Sequence, residues 1–517
     1  MHSDAREALL ADVTRVCDLV GTMLGPFGTN KLVVEPGGRV TTTSSTSLFL
    51  DRLNLDDPAT TLLRRAASDF RETHGDGATS LVLLTGALLR AADDLAAQGL
   101  HPTAIARGYR EALDVARAEL DAQARPLSLV GSEAVAESAL TGTRNPATRA
   151  RVSEAVTNAV ADVSAAGGGR ESVHVLGRIG GTGDTELFRG VVVETPPASE
   201  AMPRHLPDAG VALLSSTVDV PKLGSATESG KTTRSLDVDT FEERAAIGEY
   251  EREEFRRLLG SALDAGCRFV ATEGGVNERV EALLAEAGVT AIQRVDDDVM
   301  RRLVRCTGSQ VVPSLAEVTP ETMGTADVRV ERLAGREFVH VDADHSPVYS
   351  LVCRAPDPRA VSAFEESVEG AVAAVFAALA DERVVPGGGA VEMAIERAVR
   401  DAATQHDGVE QLAIEAFGEA LAALPRALAV SAGLDGWAGV IRLRVAHTEG
   451  RSAFGVDSLR GETRDVLDGE PIVDPLGLKR AVLDAATDLS TQLLRIDARL
   501  SASDLSDDDG VADGPPV

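Results

Sequence analysis

The chain has 517 residues, too many for one hydrophobic core, and 44% of them are hydrophobic, which is typical of a globular protein with about three domains. The net charge of −30, with arginine in place of lysine at most basic positions, argues against nonspecific nucleic-acid binding and is typical of a salt-rich, halophilic cytoplasm. No apolar run approaches the roughly 18 residues of a membrane helix, and no signal peptide is recognised. The four cysteines are dispersed without metal-ligand spacing, which indicates reduced, buried thiols. We therefore predict a cytoplasmic protein with no membrane or nucleic-acid partner.

The first 125 residues are predicted to be mainly helical, with one small hairpin. Apolar spacing predicts a helix over 5–23, and the turn Leu24-Gly25-Pro26-Phe27-Gly28 follows it. Val33–Val34 and Arg39–Leu50 are rich in β-branched residues and are predicted to form the hairpin. Further helices are predicted at 58–72, 81–97 and 104–122.

Two of these helices are joined by His74-Gly75-Asp76-Gly77-Ala78-Thr79-Ser80, in which two glycines flank one carboxylate. A helix N-terminus presents unpaired N–H groups, and flanking glycines let a phosphate approach the backbone closely. A carboxylate there would repel phosphate unless a cation lay between them, so Asp76 indicates magnesium bridging the protein and a nucleotide. The alternative is that Asp76 only caps the helix.

The middle of the chain alternates short strands with helices, which predicts an α/β domain over about 198–350. Its first strands are followed by a very polar insert at 221–240 and a charged helix at 241–265. We expect the insert to protrude rather than contribute to a core.

Helical patterns return after residue 350. Gly387-Gly388-Gly389 precedes a helix and is either a second backbone cradle for a ligand or a flexible linker. A strand pair near 438–456 and a final helix over 477–500 are predicted, and the acidic tail 501–517 is predicted to be disordered.

Several short motifs, in this order and at these separations, make the chain similar to the group II chaperonins, the family of the archaeal thermosome and the eukaryotic cytosolic chaperonin. The resemblance covers nearly the whole chain. The motifs are Leu24-Gly25-Pro26, Gly75-Asp76-Gly77-Ala78-Thr79, Gly99-Leu100-His101-Pro102, Ala139-Leu140-Thr141-Gly142, Val385-Pro386-Gly387-Gly388-Gly389-Ala390-Val391-Glu392, Ala432-Gly433-Leu434-Asp435 and Leu494-Arg495-Ile496-Asp497.

The resemblance implies an α+β multidomain chaperonin fold. A mostly α-helical equatorial nucleotide-binding domain would be built from both chain ends, with a small intermediate hinge domain and an α/β apical substrate-binding domain that carries a lid-like insert. The implied ranges are 1–130 with 386–500 (equatorial), 131–197 with 350–385 (intermediate), 198–349 (apical) and 221–260 (lid protrusion).

The resemblance also assigns a site for ATP and Mg²⁺. It places Gly388 under the ribose, gives Asp474 a ribose contact, and makes Asp76 the magnesium ligand. The phosphates would be held by Leu24, Gly25, Pro26, Asp76, Gly77, Ala78, Thr79 and Ser80.

Two departures from the family pattern fall on the residues that would hydrolyse ATP. Ser45 occupies the position of the aspartate that helps activate water, and Gly370 replaces a second catalytic aspartate. Glu369 is one position away and is expected to point elsewhere on its helix. Phe27 and Thr143 also replace lysines that are usual in the family. Together these departures leave open whether the protein is an enzyme that hydrolyses ATP.

Three functions are compatible with these residues. The first is an ATP-binding chaperonin subunit that binds unfolded clients and assists folding in a double ring with other subunits. The second is a diverged, non-hydrolysing structural or client-binding subunit of a hetero-oligomeric ring, suggested by Ser45 and Gly370. The third is a free-standing protein-binding module, suggested because the family's extended N-terminal segment is not recognised before the first helix.

Overall fold

The computed structural model describes residues 2–35, 38, 40–53, 57–142, 145–219, 241–333, 336–344 and 346–496. It divides into two compact units, Met1–Thr157 with Pro358–Val517, and Asn158–Asp357. The three-domain division therefore stays a prediction, and the polar insert before residue 241, Thr143 and the tail 501–517 lie outside the described residues. Within those residues, no helix has the length and apolar character needed to cross a membrane.

The N-terminal part is helical except for one hairpin. Its elements are α1 (His2–Gly21), β1 (Lys31–Val34), β2 (Val40–Thr43), α2 (Thr46–Arg52), α3 (Pro58–His74), α4 (Ala78–Ala97), α5 (Pro102–Ala122), β3 (Arg125–Pro126), α6 (Ser132–Ala139) and α7 (Pro146–Ala165). The predicted strand Arg39–Leu50 is too long. Ser45 ends the extended segment because its side chain accepts the Leu48 N–H and caps α2.

The second unit confirms the predicted alternation of strands and helices. Its elements are β4 (Val173–Ile179), β5 (Glu186–Arg189), β6 (Val191–Val193), β7 (His205–Leu214), α8 (Phe241–Asp264), β8 (Cys267–Thr272), α9 (Glu278–Glu286), β9 (Thr290–Ile292), α10 (Asp297–Thr307), β10 (Val311–Val312), β11 (Gly324–Leu333), β12 (Arg336–Asp342) and β13 (Tyr349–Ala355). The main sheet has the order β6-β12-β11-β7-β8-β9, with β10 also paired to β7. A smaller sheet has the order β4-β13-β5.

The C-terminal part returns to helices. Its elements are α11 (Pro358–Asp381), β14 (Arg383–Pro386), α12 (Ala390–Ala403), α13 (Glu410–Leu421), α14 (Ala423–Ser431), α15 (Gly436–Thr448), β15 (Phe454–Asp457), β16 (Glu462–Asp465), β17 (Val473–Pro475) and α16 (Leu476–Leu493). The predicted strand pair near 438–456 is wrong. Asp435 caps a helix there by accepting the Ala438 N–H, and the hairpin is β15–β16.

The core of the first unit is organised around α4. Leu81, Leu84 and Leu88 on this helix are at most 1% exposed, and α1, α5, α13 and α16 pack around it. A helix held on several sides fixes the position of its own N-terminal turn.

All four cysteines are buried and free, as predicted. Burial raises the pKa of the Cys17 thiol to about 12, and it raises the pKa of Cys267 to about 12 as well. These thiols are therefore protonated and unreactive at neutral pH.

Candidate nucleotide-binding site

The turn between α3 and α4 leaves the N-terminus of α4 without a side-chain cap. Gly75 ends α3 with φ +77°, and its N–H donates to the Arg71 carbonyl. Gly77 is the N-cap of α4, at φ +87°, and provides no side-chain hydrogen bond to the first turn. Its positive φ favours glycine, and a Cβ there would lie 3.1 Å from both Phe70 and Leu478, closer than most Cβ contacts. The first N–H groups of α4 are thus available to a ligand.

Asp76 does not cap α4. Its Oδ1 accepts only the N–H of the next residue, Gly77, at 2.6 Å, whereas a capping side chain would accept from the second or third helical residue. Desolvation raises the pKa of Asp76 most strongly, the Gly77 N–H lowers it, and the charge of Asp474 raises it further. Lys479 and Arg71 lower this pKa but do not cancel the increase. Burial is thus the main cause that disfavours the ionised carboxylate, and a bound cation would stabilise that form.

Thr79 connects the start of α4 to the start of α2. Its hydroxyl is hydrogen-bonded to that of Thr46 at 2.8 Å. Ala78 is buried, while Thr79 and Ser80 are half-buried in the first turn of α4. The predicted phosphate-binding residues of this segment thus share one partly buried helix end.

Gly25 lies in a tight turn against α14. Its φ is +87°, its carbonyl accepts the Gly28 N–H, and a Cβ there would come within 2.7 Å of Leu428. The next carbonyl, that of Pro26, accepts the Gly142 N–H at 2.9 Å. Leu24 packs against the core that contains α4. The turn is held in place by the same helical body as Asp76.

The triple glycine is not a flexible linker. The Gly388 carbonyl accepts the Val456 N–H, and the Gly387 N–H donates to the Ile472 carbonyl. A Cβ at Gly388 would lie 2.4 Å from the Val456 carbonyl oxygen. Gly389 lies against Pro425 of α14, the helix that also contacts Gly25. Helix α14 therefore positions both glycine turns.

Asp474 lies beside the triple glycine. It is paired with Val385 in the register of β17 and β14, and a Cβ at Gly387 would lie 3.1 Å from its Oδ2. Its side chain is 33% exposed. The structure therefore brings together Asp474 and the glycine turn, which the sequence separates by more than 80 positions.

Sequence reasoning missed a lysine at this site. Lys479 Nζ lies 2.6 Å from Glu392 Oε1 and 3.0 Å from Asp474 Oδ2, and its side chain is 17% exposed. Burial lowers its pKa, but the charges of Asp474 and Glu392 outweigh burial and raise it. Lysine is rare among the 51 basic residues of this chain, so its occurrence shortly after Asp474 could have indicated a role at this site.

Replacing Lys479 by methionine is expected to lower the free energy of unfolding by about 3–5 kcal/mol, because it leaves two carboxylates together without a counter-ion. Denaturant unfolding measures this loss. Lys31→Met is the control, since Lys31 makes one hydrogen bond to Thr22 and its loss should cost about 1 kcal/mol or less. A Lys479→Met loss no larger than the control would contradict the prediction.

Ser45 and Gly370 are the two positions that lack the expected catalytic aspartates. Ser45 is 5% exposed and accepts a hydrogen bond from Arg71 Nη1 at 2.7 Å. A Cβ at Gly370 would lie 4.0 Å from the carboxyl carbon of Asp76, so position 370 faces that carboxylate. Glu369 is turned towards Arg71 instead, 3.4 Å from its Nη2. Neither Ser45 nor Gly370 supplies a carboxylate to accept a proton.

The donor set fits magnesium together with a nucleotide. No group of three histidine, cysteine or acidic side chains that could hold a metal by itself occurs in the described part of the chain. Magnesium is commonly bound by one or two carboxylates and completed by phosphates and water. Asp76 and the adjacent hydroxyls of Thr79 and Ser80 match such a site, which requires the nucleotide for its remaining ligands.

The sequence matches the TCP-1/cpn60 chaperonin family over residues 16–504. It is 32% identical to a thermosome subunit of Methanopyrus kandleri, over 97% of this chain and 93% of that protein. It is 32% identical to thermosome subunit 1 of Haloferax volcanii over 99% of this chain and 92% of that protein, and 34% identical to thermosome subunit 3 of the same organism over 94% and 93%. The chain therefore belongs to the TCP-1/cpn60 chaperonin family.

Proposed function

We propose that the protein is a chaperonin subunit that binds Mg-ATP at the α3–α4 turn and assists the folding of client proteins in a cytoplasmic ring. The observation that carries the nucleotide site is the uncapped N-terminus of α4 beside Asp76, a carboxylate whose ionised form a bound cation would stabilise. Gly25, Gly388 and Asp474 belong to the same helical body and would hold the phosphates and the ribose.

Client binding is proposed for the second unit. The proposed capture surfaces are α8 and α9, which pack on the main sheet through residues such as Phe255 and Leu284 and leave outer faces to solvent. The lid assignment of 221–260 remains a proposal, because only α8 of that range lies in the described residues.

Full-length similarity to thermosome subunits favours this function over a purely structural ring subunit or a free-standing module. Those relatives carry subunit names, such as subunit 1 and subunit 3, which supports assembly of this chain with other chaperonin subunits. A hetero-oligomeric double ring is the proposed assembly.

The test combines three measurements on the purified full chain in high-salt buffer. Isothermal titration with ATP, with and without magnesium, is expected to show magnesium-dependent binding. Aggregation of a chemically unfolded test protein is expected to fall when the chaperonin is present. Mass photometry is expected to give a particle many times the mass of one chain. Absence of both nucleotide binding and aggregation suppression would overturn the proposal.

A further inference from the structure

One arginine joins three segments at the edge of the candidate site. Arg71 lies in the last turn of α3, and its Nη1 donates to Ser45 Oγ at 2.7 Å and to Glu366 of α11. Its Nη2 is 3.4 Å from Glu369, also on α11. Glu366 additionally accepts a 3.4 Å hydrogen bond from Ser44. A single guanidinium therefore ties the start of α2 and the end of α3 to α11.

This guanidinium lies next to the uncapped helix end. Ser45, which accepts from Arg71, directly precedes Thr46, whose hydroxyl is bonded to Thr79 in the first turn of α4. The Arg71 carbonyl also accepts the N–H of Gly75, the residue just before Asp76, at 2.7 Å. The same dipeptide, Ser45-Thr46, thus contacts Arg71 on one side and the proposed phosphate-binding turn on the other.

One of the two ion pairs of Arg71 is weak enough to be exchanged for another partner. Its guanidinium faces the carboxylates of Glu366 and Glu369, and the Glu369 side chain is 50% exposed. A long, solvent-accessible ion pair contributes little, so Nη2 can leave Glu369 at small cost. The guanidinium fork carries several donors, so Nη2 can form a charge-assisted hydrogen bond to a phosphate oxygen while Nη1 keeps its partners. Such a bond is stronger than a long, exposed ion pair.

We propose that Arg71 contacts the terminal phosphate of a bound nucleoside triphosphate and thereby distinguishes triphosphate from diphosphate. The inference rests on the proposed nucleotide site. Nη1 keeps Ser45 and Glu366, so the segment that carries Arg71 stays in place while Nη2 turns to the phosphate. Arg71 is a specificity-determining residue in this scheme, and Glu369 is its partner when the terminal phosphate is absent.

The test compares the affinities of ATP and ADP, both with magnesium, by isothermal titration of the full chain. Arg71→Met is expected to weaken ATP binding at least tenfold and to change ADP binding less than twofold. Arg71→Lys keeps the charge without the fork and is expected to recover part of the ATP affinity. The control is Arg64→Met, because Arg64 is on the same helix and forms only a 3.8 Å surface pair with Asp51.

The ratio of the two affinities separates recognition from a general loss of structure, since a misfolded site would lose both nucleotides equally. A parallel fall in ATP and ADP binding, or no change in either, overturns the inference alone. Failure of the unmodified protein to bind either nucleotide overturns the proposed function together with this inference.

Discussion

Asp76→Asn is expected to weaken magnesium-dependent ATP binding by at least about 100-fold, because loss of outer-shell partners alone commonly costs a metal site 10–100-fold. Asparagine keeps an oxygen for the Gly77 N–H, which Asp76 accepts at 2.6 Å, so the turn retains its shape. What is removed is the negative charge that would hold the cation. Isothermal titration with ATP at fixed magnesium measures the effect.

The same replacement is expected to leave stability at neutral pH unchanged or slightly higher. The pKa of Asp76 is raised in the folded protein, chiefly by desolvation. A raised carboxyl pKa means that the folded state binds the proton more tightly than the unfolded chain, so the ionised form opposes folding as the pH rises. Asparagine carries no charge, so Asp76→Asn should not lower the free energy of unfolding. Denaturant unfolding without magnesium measures this free energy.

Asp57→Asn is the matched control for Asp76→Asn. Asp57 caps α3 by accepting the N–H groups of Ala59 and Thr60, and asparagine caps helices about as well. Its ATP affinity should equal that of the unmodified protein. Equal ATP affinities for Asp76→Asn and Asp57→Asn would exclude Asp76 as the magnesium ligand.

The double replacement Ser45→Asp with Gly370→Asp is expected to raise ATP turnover by about 10²–10⁴-fold, the usual contribution of a positioned general base. The unmodified site lacks a proton acceptor at both positions, so its turnover is expected to be slow. Space is available, because a Cβ at Gly370 has only the Asp76 carboxyl carbon, at 4.0 Å, as a near contact. Aspartate is also an effective N-cap and can replace Ser45 at the start of α2.

Steady-state phosphate release measures this gain, and the double replacement Ser45→Asn with Gly370→Asn is the control. Asparagine matches aspartate in size but cannot accept the proton of the attacking water. Only the aspartate variant should hydrolyse ATP faster than the unmodified protein. Rapid turnover by the unmodified protein that disappears in Glu369→Gln would show instead that Glu369 replaces the missing aspartates.

Local sequence rules determined the backbone of the site. Gly75 and Gly77 are recognisable in the sequence because helix ends that require positive φ select glycine. The candidate phosphate-binding groups around them lie within a few consecutive residues. The order of the short motifs also sufficed to predict the chaperonin family, since each motif keeps its own local pattern. The reduced state of the thiols followed from their number and spacing.

Local patterns failed where packing overrides periodicity. Helix α15 exposes Trp437, Ile441 and Val445 while it buries Val440 and Leu443. A helix that is apolar on both faces has no 3.6-residue period, so this segment was mistaken for a strand. The strand predicted to Leu50 was too long because a single cap, Ser45, outweighs the β propensity of the residues around it.

The sequence by itself determined the family and the glycine turns, because these depend on short segments whose conformation is set locally. Only the tertiary structure decided that Arg71 joins Ser45 to α11 and that Lys479 neutralises Glu392 and Asp474. Arg71 is separated from Glu366 by 295 positions, and Lys479 from Glu392 by 87. Contacts at such separations arise from helix packing, which no local pattern specifies.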